Sequence, residues 1–160
     1  MPNPPQKENP QQVANLLKMS SCQFAGGGVK IMPLGDSITY DSHLNDNRTD
    51  GERTGYRWPL WLWLENASYW VDFIGNQQIG QDVVPAFDID NAGFPGISDD
   101  ELAVLLATGY NQFFNEVVTA GPYLEFFPTD VVLLHIGTND IPLETNANGV
   151  ESILNEIDGY

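Results

Sequence analysis

The chain has 160 residues, of which 42% are hydrophobic and 18% charged, a composition typical of one globular domain. Its 22 acidic residues outnumber six basic ones, the formal net charge is -16, and the last basic residue is Arg57. Because such a surface repels phosphate groups and anionic lipids, the composition argues against nucleic-acid and membrane-surface partners.

The first 28 residues differ in composition from the rest. Residues 1–12 are rich in proline, asparagine and glutamine and predict a flexible lead, followed by a short helix near 13–19. This segment lacks the basic and apolar regions of a secretion signal, and no run in the chain approaches the roughly 18 apolar residues of a membrane span. We therefore assign 1–28 to an N-terminal lead and 29–160 to one domain.

Short apolar segments alternate with helical patterns through the first half of this domain. VKIMPL follows three glycines and predicts a buried strand, and a polar loop covers 41–54. GYRWPLWLWLEN carries a proline near its start and several large apolar groups, which predicts a core-facing helix. YWVDFIG predicts a second strand, and residues 82–90 predict either a short edge strand or a loop.

The second half continues this alternation. SDDELAVLLATG begins with Ser98 as N-cap and Glu101 three residues later, which is the pattern of a capping box, and ends near Gly109. A further helical segment is predicted over 113–119. TDVVLLHIGTND contains the clearest strand, 131–136, apolar on both faces as in the middle of a parallel sheet. A last helix follows, so we predict an α/β fold with a parallel sheet.

Polar or glycine-rich turns follow the three predicted strands. Ser37 follows the first strand in KIMPLGDSITY, NAGFPGIS follows the second strand region, and GTND leaves the third. Because ligands of parallel sheets bind beyond the carboxyl ends of the strands, we expect these turns to meet at one rim. Each turn also has a purely structural interpretation: Asp36 or Ser37 as a helix cap, Gly96 as a turn glycine, and 139–140 as an Asx turn.

The three turns resemble three of the four signature blocks of the GDSL or SGNH hydrolases, and the resemblance runs from about residue 30 to the end of the chain. The wording of IMPLGDSITY and VVLLHIGTND is most similar to the acetylxylan-esterase branch. The resemblance implies a three-layer α/β/α sandwich with a flavodoxin-like parallel sheet. It also implies an esterase that removes acyl groups, chiefly acetyl, from carbohydrate or another small ester, without a cofactor, in a secreted or periplasmic location.

The resemblance also implies roles for individual residues. Ester cleavage by a serine needs a nucleophile and fixed donors where the oxyanion develops. Ser37 would be the nucleophile, and the backbone N–H groups of Ser37 and Gly96 with the side-chain amide of Asn139 would form the oxyanion hole. Asp36 and Asp140 would support the turns that carry these groups.

The fourth block of the family, Asp-x-x-His, is not found in the sequence. Its histidine serves as general base and its aspartate orients that histidine. The two histidines present are weak candidates for the base: His43 lies in the polar loop, and His135 is expected to be a buried structural residue of the sheet. The single cysteine, Cys22, allows no internal disulfide or cysteine metal cluster, and DIDNAG fits a calcium loop poorly, so no metal site is predicted.

A sheet that stops after the third strand leaves an apolar strand at an open edge, which invites pairing. We therefore predict either the N-terminal part of a longer esterase or a sheet completed by another polypeptide, such as a complementing C-terminal fragment or a second copy. Two functions stay open. The first is a serine esterase whose histidine and aspartate come from elsewhere, with little turnover by this chain alone. The second is a non-catalytic carbohydrate-binding or self-assembling protein with the same fold.

Overall fold

The computed structural model describes residues 28–141 and 148–160. The predicted lead, up to residue 27, and its helix near 13–19 lie outside these residues, as do residues 142–147. The strands are β1 Val29–Gly35, β2 Val71–Phe73, β3 Gln77–Gln78, β4 Asp90–Gly93, β5 Tyr110–Asn111, β6 Glu116–Val117 and β7 Val131–His135. The helices are α1 Ser37–Tyr40, α2 Arg57–Asn66, α3 Asp99–Thr108, α4 Tyr123–Phe126 and α5 Asn148–Asp158, with a 3₁₀ turn at Asp50–Glu52. None of the helices in the described ranges is long and apolar enough to cross a membrane.

β1 is the central strand of the main sheet. It pairs in parallel with β7 along residues 31–35, with β2 along 29–31, and with β4 through Leu34 and Gly35. Because residue 31 pairs with both β2 and β7, and residues 34 and 35 with both β4 and β7, β2 and β4 follow one another along one edge of β1. β7 occupies the other edge, and β3 runs antiparallel to β4. The predicted α/β fold with a mainly parallel sheet is confirmed.

Helices cover both faces of this sheet and make three layers. Met32 and Leu34 of β1 belong to a core shared with Leu105 of α3 and with α5. Ile31 belongs to the opposite face, where it packs with Phe73 against α2. Side chains alternate between the faces of a strand, so a strand buried on both faces is apolar at successive positions.

β7 forms the edge of the described sheet. Within the described part of the chain it pairs with β1 alone, and residues 131 and 135 at its two ends are exposed. The predicted strand is confirmed, and its position is at an open edge. A groove of about 590 Å³ lies beside it, here called the β7 groove, lined by Tyr56, Pro59, Leu60, Trp63 and Val132, Leu133, Leu134, His135.

α3 has both of its predicted ends. The Ser98 N–H donates to a carboxylate oxygen of Glu101 at 2.8 Å, and the Glu101 N–H donates to the Ser98 hydroxyl at 3.3 Å. Gly109 ends the helix in the left-handed region, at φ 75°. Each half of this reciprocal bond satisfies a backbone donor that the first helical turn leaves free.

The helix predicted over 113–119 is wrong, because this segment belongs to a β-hairpin formed by β5 and β6. The Phe114 N–H donates to the side-chain oxygen of Asn111 at 3.2 Å, and Asn115 adopts a left-handed conformation at φ 55°. Asparagine side chains that bond nearby backbone offer the chain an alternative to the helix. The other undecided segment, 82–89, is a loop, and β4 begins after it.

Arg57, at the start of α2, has a fully buried side chain. Its guanidinium donates to four carbonyl oxygens: those of Thr39 at 3.0 Å, Arg53 at 3.1 Å, and Ile79 and Ile89 at 3.3 Å each. Burial lowers the pKa of Arg57 to about 10, so the group keeps its charge at neutral pH. The Arg57 side chain thus joins α1 to the segments that contain Ile79 and Ile89.

We expect Arg57→Met to lower the free energy of unfolding by about 3 kcal/mol, because buried carbonyl oxygens lose their charged donor while the apolar volume is kept. Urea denaturation measures this loss. Arg57→Lys keeps the charge but reaches fewer carbonyls, so its urea midpoint should lie between those of the wild type and Arg57→Met. An unchanged midpoint for Arg57→Met would show that these four bonds contribute no net stability.

Candidate active site

The candidate nucleophile lies on the sharp turn between β1 and α1. Asp36 is the N-cap of α1: its carboxylate accepts from the Ile38 N–H at 2.9 Å, and its own N–H donates to the His135 carbonyl at 3.3 Å. The side chain of Asp36 is fully buried, while Ser37 is partly exposed. The turn therefore anchors Asp36 in the protein and leaves Ser37 at the surface of the rim.

Two glycines allow neighbouring segments to approach this turn. A Cβ on Gly93 of β4 would lie 2.5 Å from the backbone nitrogen of Tyr40, so a side chain there would push α1 away from the sheet. Gly96 has φ 88°, and a Cβ at this position would lie 2.4 Å from the Phe113 ring. The backbone path through NAGFPGIS thus requires glycine at both places.

Four of the residues predicted for the site line one cavity. Ser37, Gly96 and Asn139 surround a space of about 400 Å³, here called the Ser37 cavity, together with His43. The Asn139 amide nitrogen donates to the Ile97 carbonyl at 2.8 Å. An amide nitrogen carries two hydrogens, so this bond orients the group and leaves a second N–H for another acceptor. The turns after β1, β4 and β7 meet as expected of a parallel sheet.

The two histidines occupy different places. His43 lines the Ser37 cavity and is exposed, with its Nδ1 at 3.0 Å from the Leu44 carbonyl oxygen. His135 lies at the end of β7, lines the β7 groove and is exposed, so the expectation of a buried structural histidine is wrong. The reason is that β7 is an edge strand in the described sheet. Among the described residues, no hydrogen bond joins either histidine to Ser37.

A network of ion pairs shapes the loop that carries His43. Arg48 donates to both carboxylate oxygens of Asp41, at 2.8 and 2.9 Å, and to Asp46 at 2.8 Å. The Arg48 guanidinium lowers the pKa of Asp46 to about 2. Asp41 also accepts from the backbone N–H groups of Thr54 and Gly55, each at 2.8 Å. The polar loop predicted over 41–54 thus contains an ordered ion-pair network, and its closely spaced acids and arginines are the sequence signal of it.

Asp140 supports the helix next to the site. Its carboxylate accepts from the Asp99 N–H at 3.2 and 3.3 Å, at the first residue of α3. Both side chains are nearly inaccessible to solvent. Burial, followed by contact with the Asp99 carboxyl, raises the pKa of Asp140 above its ordinary value. Two carboxyl groups therefore lie close together, which makes the ionisation of Asp140 less favourable than in water.

We expect Asp140→Asn to stabilise the protein at neutral pH. The folded-state pKa of Asp140 is raised, so the folded form prefers the neutral carboxyl, and its ionisation costs stability as pH rises above the unfolded-state value. An asparagine carries no charge and keeps an oxygen for the Asp99 N–H. Thermal unfolding at pH 7 and pH 3.5 measures the effect: the gain over wild type should shrink at the lower pH. A gain that is equal at both values would exclude the charge as its cause.

No protein-family profile matches the chain. It is 32% identical over 145 residues to a multidomain esterase of Ruminococcus flavefaciens, a match that covers 85% of this chain and 17% of that protein. A family 3 carbohydrate esterase of Clostridium thermocellum superimposes with a TM-score of 0.58 at 31% identity. The structure has the fold of the SGNH-type carbohydrate esterases.

Two further solved structures share this SGNH fold. An acetyl esterase mutant crystallised with an acetate ion has a TM-score of 0.52 at 25% identity, and a family 3 carbohydrate esterase of Talaromyces cellulolyticus has 0.51 at 23%, which shows the fold alone. The match to each of the three structures covers 81% of this chain and 54% of the other. The chain thus spans about half the length of these esterases. The GDSL or SGNH superfamily is supported, and the acetylxylan-esterase branch within it is not distinguished.

Proposed function

We propose that the protein is a serine ester hydrolase that removes acetyl groups from neutral carbohydrate. One observation carries this proposal: Ser37, Gly96 and Asn139 line one cavity at the carboxyl ends of the strands, in a fold shared with carbohydrate esterases. The strongly acidic composition, with a formal net charge of -16, fits a neutral substrate better than an anionic one. A polysaccharide substrate would place the protein outside the cytoplasm.

The residues of the Ser37 cavity have separate roles in the proposed reaction. The Ser37 hydroxyl oxygen attacks the ester carbonyl carbon and loses its proton to a general base, and the carbonyl oxygen becomes an oxyanion. The backbone N–H groups of Ser37 and Gly96 and the free amide hydrogen of Asn139 stabilise that charge. The C–O bond to the sugar then breaks, and the departing sugar oxygen takes the proton from the base and becomes a hydroxyl. Water then gives a proton to the base and attacks the acetyl carbonyl carbon. Acetate leaves, and the Ser37 oxygen takes the proton back from the base.

His43 lines the Ser37 cavity, but among the described residues no hydrogen bond joins it to Ser37, so we infer that another group brings the general base to this cavity. We propose that it is carried by further polypeptide of the same fold, which packs along the outer edge of β7. Within the described residues β7 pairs with β1 alone, so its outer edge is open to pairing, and the apolar β7 groove lies beside it, where the Trp63 side chain is 73% exposed. The match covers only 54% of each solved esterase, so each of them contains further polypeptide beyond the part that this chain matches. A second copy of the chain is the competing occupant.

The test is hydrolysis by the purified native protein, with its mass determined on the same sample. We expect acetate release from acetylated xylan and from p-nitrophenyl acetate, together with a mass that shows either a longer chain or a bound fragment. A dimer of this chain with turnover would assign the base to the second copy. A protein that hydrolyses neither ester but binds xylan would contradict the esterase proposal and favour the non-catalytic carbohydrate-binding function.

A further inference from the structure

A second cavity adjoins the Ser37 cavity. It has a volume of about 410 Å³, is here called the Tyr40 cavity, and is lined by Tyr40, Gln77, Phe94, Pro95, Phe114 and Glu116. Pro95 and Phe114 also line the Ser37 cavity. The two cavities therefore adjoin at Pro95 and Phe114.

The aromatic side chains at this junction lie at the tip of the β5–β6 hairpin. Phe113 and Phe114 are 49% and 51% exposed, and their rings meet edge to face with centroids 4.9 Å apart. The Phe113 ring packs against Gly96, a predicted oxyanion-hole residue. Large aromatic side chains gain stability by burial, so two of them half exposed beside a candidate catalytic serine suggest a binding surface.

The hairpin holds these rings in place. The Tyr110 hydroxyl is hydrogen-bonded to the Asn115 side chain, and the Phe114 N–H donates to Asn111, whose side chain is fully buried. The backbone N–H of Val118 donates to the Gly109 carbonyl at 2.8 Å, which joins the hairpin to the end of α3. A surface formed in advance binds its ligand with a smaller loss of conformational entropy.

The chemistry of the Tyr40 cavity matches a sugar ring. A pyranose has an apolar face of C–H groups that stacks on an aromatic ring, and hydroxyl groups at its edge that both donate and accept hydrogen bonds. The aromatic residue Phe114 lines the cavity together with Gln77, Glu116 and Tyr40, whose side chains carry an amide, a carboxylate and a hydroxyl. Glu116 and the net charge of -16 disfavour a sugar that carries a carboxylate.

We propose that the Tyr40 cavity binds a neutral pyranose of the substrate, stacked on Phe114, next to the sugar whose ester reaches Ser37. This proposal rests on the proposed esterase function. Phe114 and Glu116 would then recognise the carbohydrate chain. An ester that carries no sugar cannot make these contacts. The substrate would accordingly be an oligosaccharide or polysaccharide ester.

The experiment compares an ester that carries a sugar chain with one that does not, in the full-length native protein. We expect Phe114→Ala to lower kcat/KM for acetylated xylotetraose about tenfold more than for p-nitrophenyl acetate, the loss of a good aromatic contact. Glu116→Gln should also lower the ratio of kcat/KM for acetylated xylotetraose to kcat/KM for p-nitrophenyl acetate. Phe126→Ala is the matched control, because Phe126 is 50% exposed and lies outside both cavities, and it should leave the ratio unchanged.

The possible failures are distinguishable. Equal effects of Phe114→Ala on both esters, or no effect on either, would overturn the sugar site while leaving the esterase function intact. If wild type hydrolyses neither ester, the esterase function fails, and calorimetric binding of xylotetraose then decides the sugar site alone. Binding that is lost in Phe114→Ala supports the site, and absence of binding overturns it. Xylotetraose that binds no better than tetragalacturonic acid would contradict the preference for a neutral sugar.

Discussion

Replacing Ser37 with alanine is expected to lower kcat for ester hydrolysis by roughly 10⁴- to 10⁶-fold, to the background that the remaining groups of the cavity sustain. The reason is that the covalent route through the Ser37 oxygen is lost, whereas the turn itself is preserved: Asp36 still caps α1 through the Ile38 N–H. The measurement is kcat for p-nitrophenyl acetate, with circular dichroism to show that the variant is folded.

Ser42 provides the matched control for this substitution. Its side chain lines the same cavity as Ser37, so a hydroxyl is removed from the same surroundings. We expect Ser42→Ala to change kcat by no more than about twofold, the usual range for a substitution that disrupts no structural feature. If Ser42→Ala and Ser37→Ala lowered kcat to the same extent, Ser37 would not be the nucleophile.

Asn139→Ala should lower kcat by about 10²- to 10³-fold, because one donor to the oxyanion is removed from a site that has few. This value corresponds to about 2.7 to 4 kcal/mol of transition-state stabilisation. KM should change much less, since the charge on the carbonyl oxygen develops only in the transition state. Steady-state kinetics on p-nitrophenyl acetate separate the two parameters.

Asn139 also has a structural contact, which the design must separate from catalysis. Its amide donates to the Ile97 carbonyl, so the variant leaves a carbonyl in the core without this donor and should lose about 1 kcal/mol of stability. Asn155→Ala, at an exposed position of α5, is the control and should leave kcat unchanged without lowering the urea midpoint, because alanine is the better helix former. A kcat that survives in Asn139→Ala would remove Asn139 from the oxyanion hole.

The strands and the caps could be predicted because short-range patterns determine them. The capping box of Ser98 and Glu101 lies within four residues, and VVLLH is apolar at successive positions because both faces of β7 contact other parts of the protein. The same applies to the rim of the sheet. Ser37 and Asn139 each follow a strand, and parallel strands bring their carboxyl ends together whatever the loops between them do.

The hairpin at 110–117 shows where such patterns fail. Its aromatic and apolar residues have a spacing compatible with a helix, whereas the side-chain bond from Asn111 and the left-handed Asn115 select a turn. This wrong prediction concealed Phe113 and Phe114, so the aromatic surface beside the Ser37 cavity was missed as well. Asn111 and Asn115, on either side of the two phenylalanines, were the sequence signal for this turn.

The α/β class, the central strands, the caps of α3 and the turns that carry Ser37, Gly96 and Asn139 could be predicted from the sequence. The hydrogen-bond partners of Arg57 and Asp140 and the exposure of His135 depend on the tertiary structure. The physical reason is the separation along the chain between the residues that interact. Caps, turns and strand patterns depend on residues a few positions apart, whereas the Asp140 carboxylate bonds a backbone nitrogen 41 residues away and Arg57 one carbonyl 32 residues away. Such partners are chosen by how helices and sheet pack together, and packing follows from the whole chain.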